Sequence, residues 1–444
     1  MQNVEQIKSN PRALLPIAIF LVLYLGLGVT FEYVLKIPMG FYNIPIVAAF
    51  MVAILVACLQ NRKVNFNEKL EVMAKSVGDR NIFMMILIFI CAGMFAGILG
   101  RSSASSAAYF LLHFIPAQFS VVVLFIVAAF VSTAMGTSVG TIAVVTPISV
   151  EVALATGFSV PFCVASVIGG AMFGDNLSFI SDTTIAACTT QGCEMKDKFR
   201  TNFLIALPAA VVAVIVIALI SFGTEAKVVS DGAYNLTQLI PYVIVLALAL
   251  VGLNVFVVLL VGIVIASVVM TSTGAVDFIG LVGNVGSGIS GMYETIMVTI
   301  LVSAMCGLIR MHGGFAALLD FIHKIFKGHR SGQLGVGLLV SAMDVATANN
   351  TVAIVMAAPI AKQMGDEYRI SPRKVASLLD TFSCVVQGII PYGAQMLVAL
   401  SAIAAAKLDT AYSAFDVIPL MFYPFLLLLS SLVFIVISPK KHRK

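Results

Sequence analysis

The run GDNLSFISDTT (Gly174 to Thr184) places two carboxylates and four hydroxyls within eleven residues of an otherwise apolar stretch. Hard cations prefer oxygen ligands, and Asp175, Asn176, Ser178, Ser181, Asp182 and Thr183 supply them here. A second short polar stretch lies upstream, AMGTSVGT (Ala134 to Thr141), with Thr137 and Ser138 at its centre. Two more lie downstream: ATANNT (Ala346 to Thr351), with Asn349, Asn350 and Thr351, and VQGIIPYGAQ (Val386 to Gln395), with Gln387. Glycine and proline weaken a helix, so such stretches free main-chain carbonyls as further ligands. Helix C-terminal ends add partial negative charge. Together these residues suit one dehydrated sodium ion, and no transition metal. Asp344 and Asp380 are two further acids close to the downstream stretches. An ionised carboxylate at bilayer depth costs at least about 2.5–3.5 kcal/mol, so each is a functional candidate. The plainer reading is that these acids cap helices or pair with Lys or Arg, and no basic residue lies in either acid-bearing stretch.

The elements holding these residues are apolar throughout. Of 444 residues 60% are hydrophobic, only 11% are charged, and mean hydropathy is +1.06. Soluble domains carry about 25% charged residues, so lipid must solvate most of this chain. Apolar runs recur at 14–35, 42–59, 82–99, 119–134 and 202–222, then at 239–253, 255–270, 295–309, 334–343 and 415–437. At about 20 residues per crossing they predict an all-α polytopic membrane protein with roughly ten to fourteen helices. The first run is too long for the apolar core of a cleavable signal, so none is expected. The seven cysteines show no CxxC spacing, so neither a disulfide framework nor a metal site is expected.

The excess of five positive charges reflects topology rather than a nucleic-acid partner. With the N-terminus inside, loops on the cytoplasmic side hold 22 of the 26 basic residues, including Lys196, Lys198 and Arg200; only Lys36, Arg101, Lys227 and Lys407 fall outside. That bias predicts both termini in the cytoplasm and insertion in the cytoplasmic (inner) membrane. The paired segments 119–156 and 332–364 either cross fully or re-enter, with the same parity. Glu151 and His113 fall near the external boundary, where solvated structural roles are expected.

The chain also repeats itself. Gly97 and Gly307 are offset by 210 residues, Pro161 and Pro372 by 211, Pro208 and Pro419 by 211, and Pro147 and Pro359 by 212. We expect two inverted repeats, 1–222 and 236–438, followed by a basic cytoplasmic tail, 439–444. In such transporters the site lies near the midplane, where helices are interrupted, and interrupted helices with re-entrant hairpins are expected at the four polar stretches.

GAMFGDNLSFISDTTIAA (Gly170 to Ala187) resembles the signature of the NhaC-type sodium/proton antiporter family, with Asp175, Ser178, Ser181, Asp182, Thr183 and Thr184 matching position by position. Phe179 stands where the family has proline, and QGCEMKDKFR (Gln191 to Arg200) replaces an expected histidine, as in a branch described as amino-acid permeases. The resemblance implies Na+/H+ antiport by alternating access, with Na+ and H+ exchanging on the acids and no cofactor. The alternative is a Na+- or H+-coupled amino-acid permease using the same ion site. A homodimer is compatible with either. The chain carries no HExxH, GxSxG or P-loop pattern, so no enzyme is expected.

Overall fold

The computed structural model describes residues 8–36, 44–226 and 234–437. The basic tail 439–444 and Lys227 lie outside them. Among the described residues every regular element is helical. We number the helices α1 (Pro11–Val29), α2 (Ile46–Leu59), α3 (Phe66–Val77), α4 (Arg80–Phe114), α5 (Ala117–Met135), α6 (Ser138–Thr156), α7 (Val160–Leu177), α8 (Asp182–Gln191), α9 (Met195–Gly223) and α10 (Leu236–Leu250). They continue with α11 (Val255–Ser272), α12 (Phe278–Gly291), α13 (Tyr293–Met311), α14 (Gly314–Ile325), α15 (His329–Thr347), α16 (Asn350–Glu367), α17 (Pro372–Ile389), α18 (Ala394–Ala405), α19 (Ala414–Leu420) and α20 (Phe422–Ile437). Nine spans among the described residues are long and apolar enough to cross a membrane, and a bent pair, α19 with α20, makes a tenth. The apolar run 415–437 reads as one straight span, but the structure bends it by 49°. Pro419 and Pro424 flank the bend, and each removes a helical hydrogen bond.

Two hairpins and two broken helices organise the centre. The first hairpin turns between α5 and α6. Gly136 takes a left-handed conformation there (φ 66°), and a side chain at that position would collide with Ile180. Thr137 then caps α6, its side chain accepting from the Gly140 amide. The second hairpin turns between α15 and α16 in the same way. Ala348 is left-handed (φ 49°), and the Asn349 side chain accepts from the Val352 amide at 2.9 Å. Pro147 and Pro359 each follow ten residues after their cap, so the two tips are built to one pattern. The broken helices are α7–α8, opened at 178–181, and α17–α18, opened at 390–393. α7 and α17 are buried along nearly their whole length.

Around this centre, α3 is amphipathic and docks on the end of α2, where Lys69 donates to the Cys58 and Gln60 carbonyls, both at 2.7 Å. These are carbonyls that a helix end leaves without partners. α4 is kinked at Gly100 (φ 57°). α12 buries no side chain of its own and crosses α4 on glycine. A Cβ on Gly288 would lie 2.0 Å from the Gly93 carbonyl oxygen, and one on Gly97 would lie 2.3 Å from the Asn284 carbonyl oxygen. No residue but glycine permits that backbone contact.

Candidate functional site

All four interruptions meet at one cleft of about 80 Å³. Four helix C-terminal ends (α5, α7, α15, α17) and four N-terminal ends (α6, α8, α16, α18) point toward it, because each interruption is an end followed by a start. The cleft thus gathers both signs of partial charge beside free carbonyls and hydroxyls.

The Asp175 carboxylate is its enclosed charge. It lies in the last turn of α7 and is 6% exposed. One of its oxygens accepts from the Ser181 hydroxyl at 2.6 Å, and the other accepts from the Ser138 hydroxyl at 2.8 Å. Ser181 also lies 2.8 Å from the Thr183 hydroxyl. From Ser138 the chain of bonds continues across the molecule. The Gln395 amide donates to the Ser138 hydroxyl at 3.0 Å, and the Gln387 amide donates to Gln395 Oε1 at 2.7 Å and to the Ala348 carbonyl at 3.1 Å. One hydrogen-bonded path therefore joins the first break, the first tip, the second break and the second tip. Gln387 Oε1 is buried without a partner, and such an oxygen is expensive unless a ligand satisfies it.

Of the residues singled out in the sequence, Thr137, Ser138, Asp175, Ser181, Asp182 and Thr183 line the cleft from the first half, and Asn349, Asn350, Thr351 and Gln387 line it from the second. Asp182 opens α8, where its charge favours the helix N-terminus, but it is exposed at the cleft mouth and Asp175 is not. Asn81, Met85 and Gln395 also line the cleft. Gln395 stands at the end of the fourth polar stretch, where a polar side chain within an apolar run was the available signal.

Four expected residues lie elsewhere. Ser178 donates to the Thr133 carbonyl at 2.8 Å, tying the break to α5. Asp344, in the last turn of α15, is fully buried and neither of its oxygens has a hydrogen-bond partner. Asn176 and Asp380 belong to a separate buried cluster around Lys198. The Lys198 ammonium lies 2.5 Å from Asp380 Oδ2, 2.7 Å from Thr184 Oγ1 and 3.1 Å from the Asn176 carbonyl. Asn202 donates to Asp380 at 2.7 Å, and Ser377 donates to Asn202. The absence of a basic residue from the breaks therefore does not leave Asp380 unpaired: its partner comes from the first turns of α9. Lys198, read from the sequence as part of a cytoplasmic turn, is 1% exposed. Its signal was the i, i+4 spacing of Lys198 and Asn202 at the start of an apolar helix.

Glu151, expected in a solvated role, is buried and pairs with Arg101 at 2.6 Å, where Arg101 is itself half exposed. His113 packs edge-on against Phe114 and Tyr234. The Arg101–Glu151 pair lines a cavity of about 570 Å³ near the Gly100 kink, together with Lys407. A cavity of about 460 Å³ lies at the other end of α4, beside Lys75, Asp79 and Arg310, and it shares Asn81 with the cleft.

A helical protein that crosses the bilayer about ten times and gathers oxygen ligands at interrupted helices belongs to the class of secondary ion transporters. The chain is a member of the Na+/H+ antiporter family, whose profile matches residues 15–224 and 233–438. It is 24% identical over 333 residues to the malate-2H(+)/Na(+)-lactate antiporter of Bacillus subtilis (strain 168), covering 72% of this chain and 68% of that protein. It is 23% identical over 364 residues to the Na(+)/H(+) antiporter NhaC of the same organism, covering 74% and 78%. Among solved structures it is similar to the Alcanivorax borkumensis YdaH transporter, with 12% identity, a TM-score of 0.46, and coverage of 95% of this chain and 97% of that one. The NhaC-type resemblance of the Asp175–Asp182 run thus extends over the chain, which is a sodium-coupled antiporter of the multi-pass membrane class.

Proposed function

We propose that Na+ and H+ alternate on the Asp175 carboxylate, with Asp182 guiding cations at the cleft mouth. The observation that carries this reading is the pair of hydroxyls on Asp175. Ser138 and Ser181 donate to the carboxylate in this structure, and each can rotate to present a lone pair to a cation instead. Ser181, Ser138 and Gln387 Oε1 then offer ligands from three of the four interruptions. When a proton replaces the cation, the same carboxyl is neutral: one hydroxyl donates to its carbonyl oxygen again, and the other accepts from its O–H group. One group cannot hold both ions, and that exclusion is what couples their fluxes.

Access follows from the cavities. The cleft adjoins the 460 Å³ cavity through Asn81, whereas the Arg101–Glu151 cavity is separate. With both termini inside, as the distribution of basic residues favours, this is the cytoplasm-facing state in a cytoplasmic membrane. The matching hairpin tips support two inverted repeats, 1–222 and 236–438, whose exchange of conformations would open the other side. At about 80 Å³ the cleft is far below the roughly 300–1,000 Å³ of small-molecule sites, which favours an ion over an amino acid as the solute here.

The test is Na+-induced pH change in vesicles holding the purified protein, beside uptake of labelled amino acids. Proton movement on Na+ addition without an amino-acid response supports the reading. Solute-dependent Na+ uptake without a proton signal would replace it with the permease.

A further inference from the structure

The cluster around Lys198 has the composition of a cation site already occupied. An ammonium carries three protons, and Lys198 directs them to three oxygens of different kinds: the Asp380 carboxylate, the Thr184 hydroxyl and the Asn176 carbonyl. These are the ligand types that a hard cation takes. The oxygens converge from three elements, α17, α8 and the end of α7, while the lysine reaches in from α9. Lys198 and Asp380 are each 1% exposed. Asn202 and Ser377 hold the carboxylate side of the cluster in place. A buried ion pair is weak evidence for stability in itself, because desolvation offsets the attraction, yet removing one partner alone leaves a costly buried charge.

We propose that the Lys198 ammonium is a tethered occupant of a second cation site, formed by Asp380, Thr184 and the Asn176 carbonyl, and that a free alkali or small ammonium ion fills this site when the tether is cut. The proposal rests on the reading of the Asp175 cleft as the first site. Lys198 then acts as a positioning residue: it neutralises Asp380 in every state, so only the Asp175 site exchanges cations. The wild-type chain binds one Na+, and Lys198→Ala binds two. Because Asn176 follows Asp175 and Thr184 follows Thr183, the tether also fixes both ends of the break that forms the transport site.

The full-length protein is purified, and its thermal unfolding and radiolabelled Na+ binding are followed against NaCl, methylammonium chloride and choline chloride at constant ionic strength. Lys198→Ala should gain a response to Na+ or methylammonium at about a tenfold lower concentration than to choline, and its Na+ stoichiometry should rise from one to two. Lys198→Ala/Asp380→Asn should lose the new response, because the carboxylate is gone. A Lys198→Ala protein with wild-type cation dependence would overturn the proposal. So would one that folds in none of the three salts while the neutral Lys198→Met/Asp380→Asn pair folds normally, since the emptied site would then attract no cation. Wild type indifferent to Na+ would remove the Asp175 reading, and the response of Lys198→Ala to small cations would still decide the second site.

Discussion

Replacing Asp175 by asparagine separates the charge of the site from its shape. The amide keeps one oxygen to accept from Ser138 or Ser181, and the other hydroxyl can turn to accept from the new N–H group. Charge-assisted hydrogen bonds of about 1.5–3 kcal/mol become neutral ones of about 0.5–1.5 kcal/mol. Relief of the buried charge offsets that loss, so the Na+-free protein should change in stability by no more than about 1 kcal/mol. Cation binding is another matter. A carboxylate and a cation about 4 Å apart attract by about 4 kcal/mol at an effective dielectric of 20, which is close to a thousandfold in affinity. Wild type at a hundred times its Kd gains about 2.7 kcal/mol from the bound ion. For a chain of 444 residues this is about 3 °C in Tm. Asp175→Asn should lose that increment and show no Na+-driven proton movement. Asp182→Asn, which alters an exposed charge at the cleft mouth, should weaken Na+ by about tenfold or less, since exposed charges interact by about 1 kcal/mol. Thermal unfolding in NaCl against choline chloride, run beside a vesicle pH assay, reads both. If Asp182→Asn abolished Na+ binding while Asp175→Asn kept it, the enclosed carboxylate would not be the carrier and the reasoning from burial would fail.

Other expectations follow from particular elements. Gln395→Leu cuts the path between Ser138 and Gln387 and should cost about 1–3 kcal/mol in unfolding free energy, with weaker Na+ stabilisation; an unchanged Tm and unchanged Na+ response would show the path to be idle. Ala348→Gly relieves a left-handed alanine and should stabilise the protein by about 1 kcal/mol; a lower Tm would mean that the tip needs its methyl group. In a background freed of native cysteines, Asn67→Cys should be labelled from the cytoplasmic side and Thr273→Cys from the outside. Labelling from the opposite sides would reverse the access assigned to the cleft, and labelling of both from one side would refute the crossing order.

The four interruptions were legible because polar and helix-weakening residues stand out in apolar runs. The two tips, at Gly136 and Ala348, even share their cap and proline spacing. The ranking of the acids was not legible. Asp175 and Asp182 lie in one break, and only the packing of α7 among its neighbours encloses one and leaves the other at the mouth. The pairing of Asp380 with Lys198 spans 182 positions. A lysine beside Lys196 and Arg200 reads as solvated until α9 is placed against α17. Glu151 was misread for a like reason: its partner Arg101 comes from a different helix and draws it under the surface.

The glycine crossing of α4 and α12 has a mechanical consequence. Helices that interlock through side chains resist sliding, because each step requires ridges to leave their grooves. Where Gly93 and Gly97 meet Gly288 and the Asn284 carbonyl the contact is backbone on backbone, and the side chains that α12 sets against the core, Leu281 and Val285, are only partly buried. The contact is close enough to keep dispersion attraction and presents few side-chain ridges to oppose a shift of one backbone along the other. It runs beside the Arg101–Glu151 cavity, so a leucine at Gly288 would act as a wedge, prising α12 off α4 without touching any ligand of the ion.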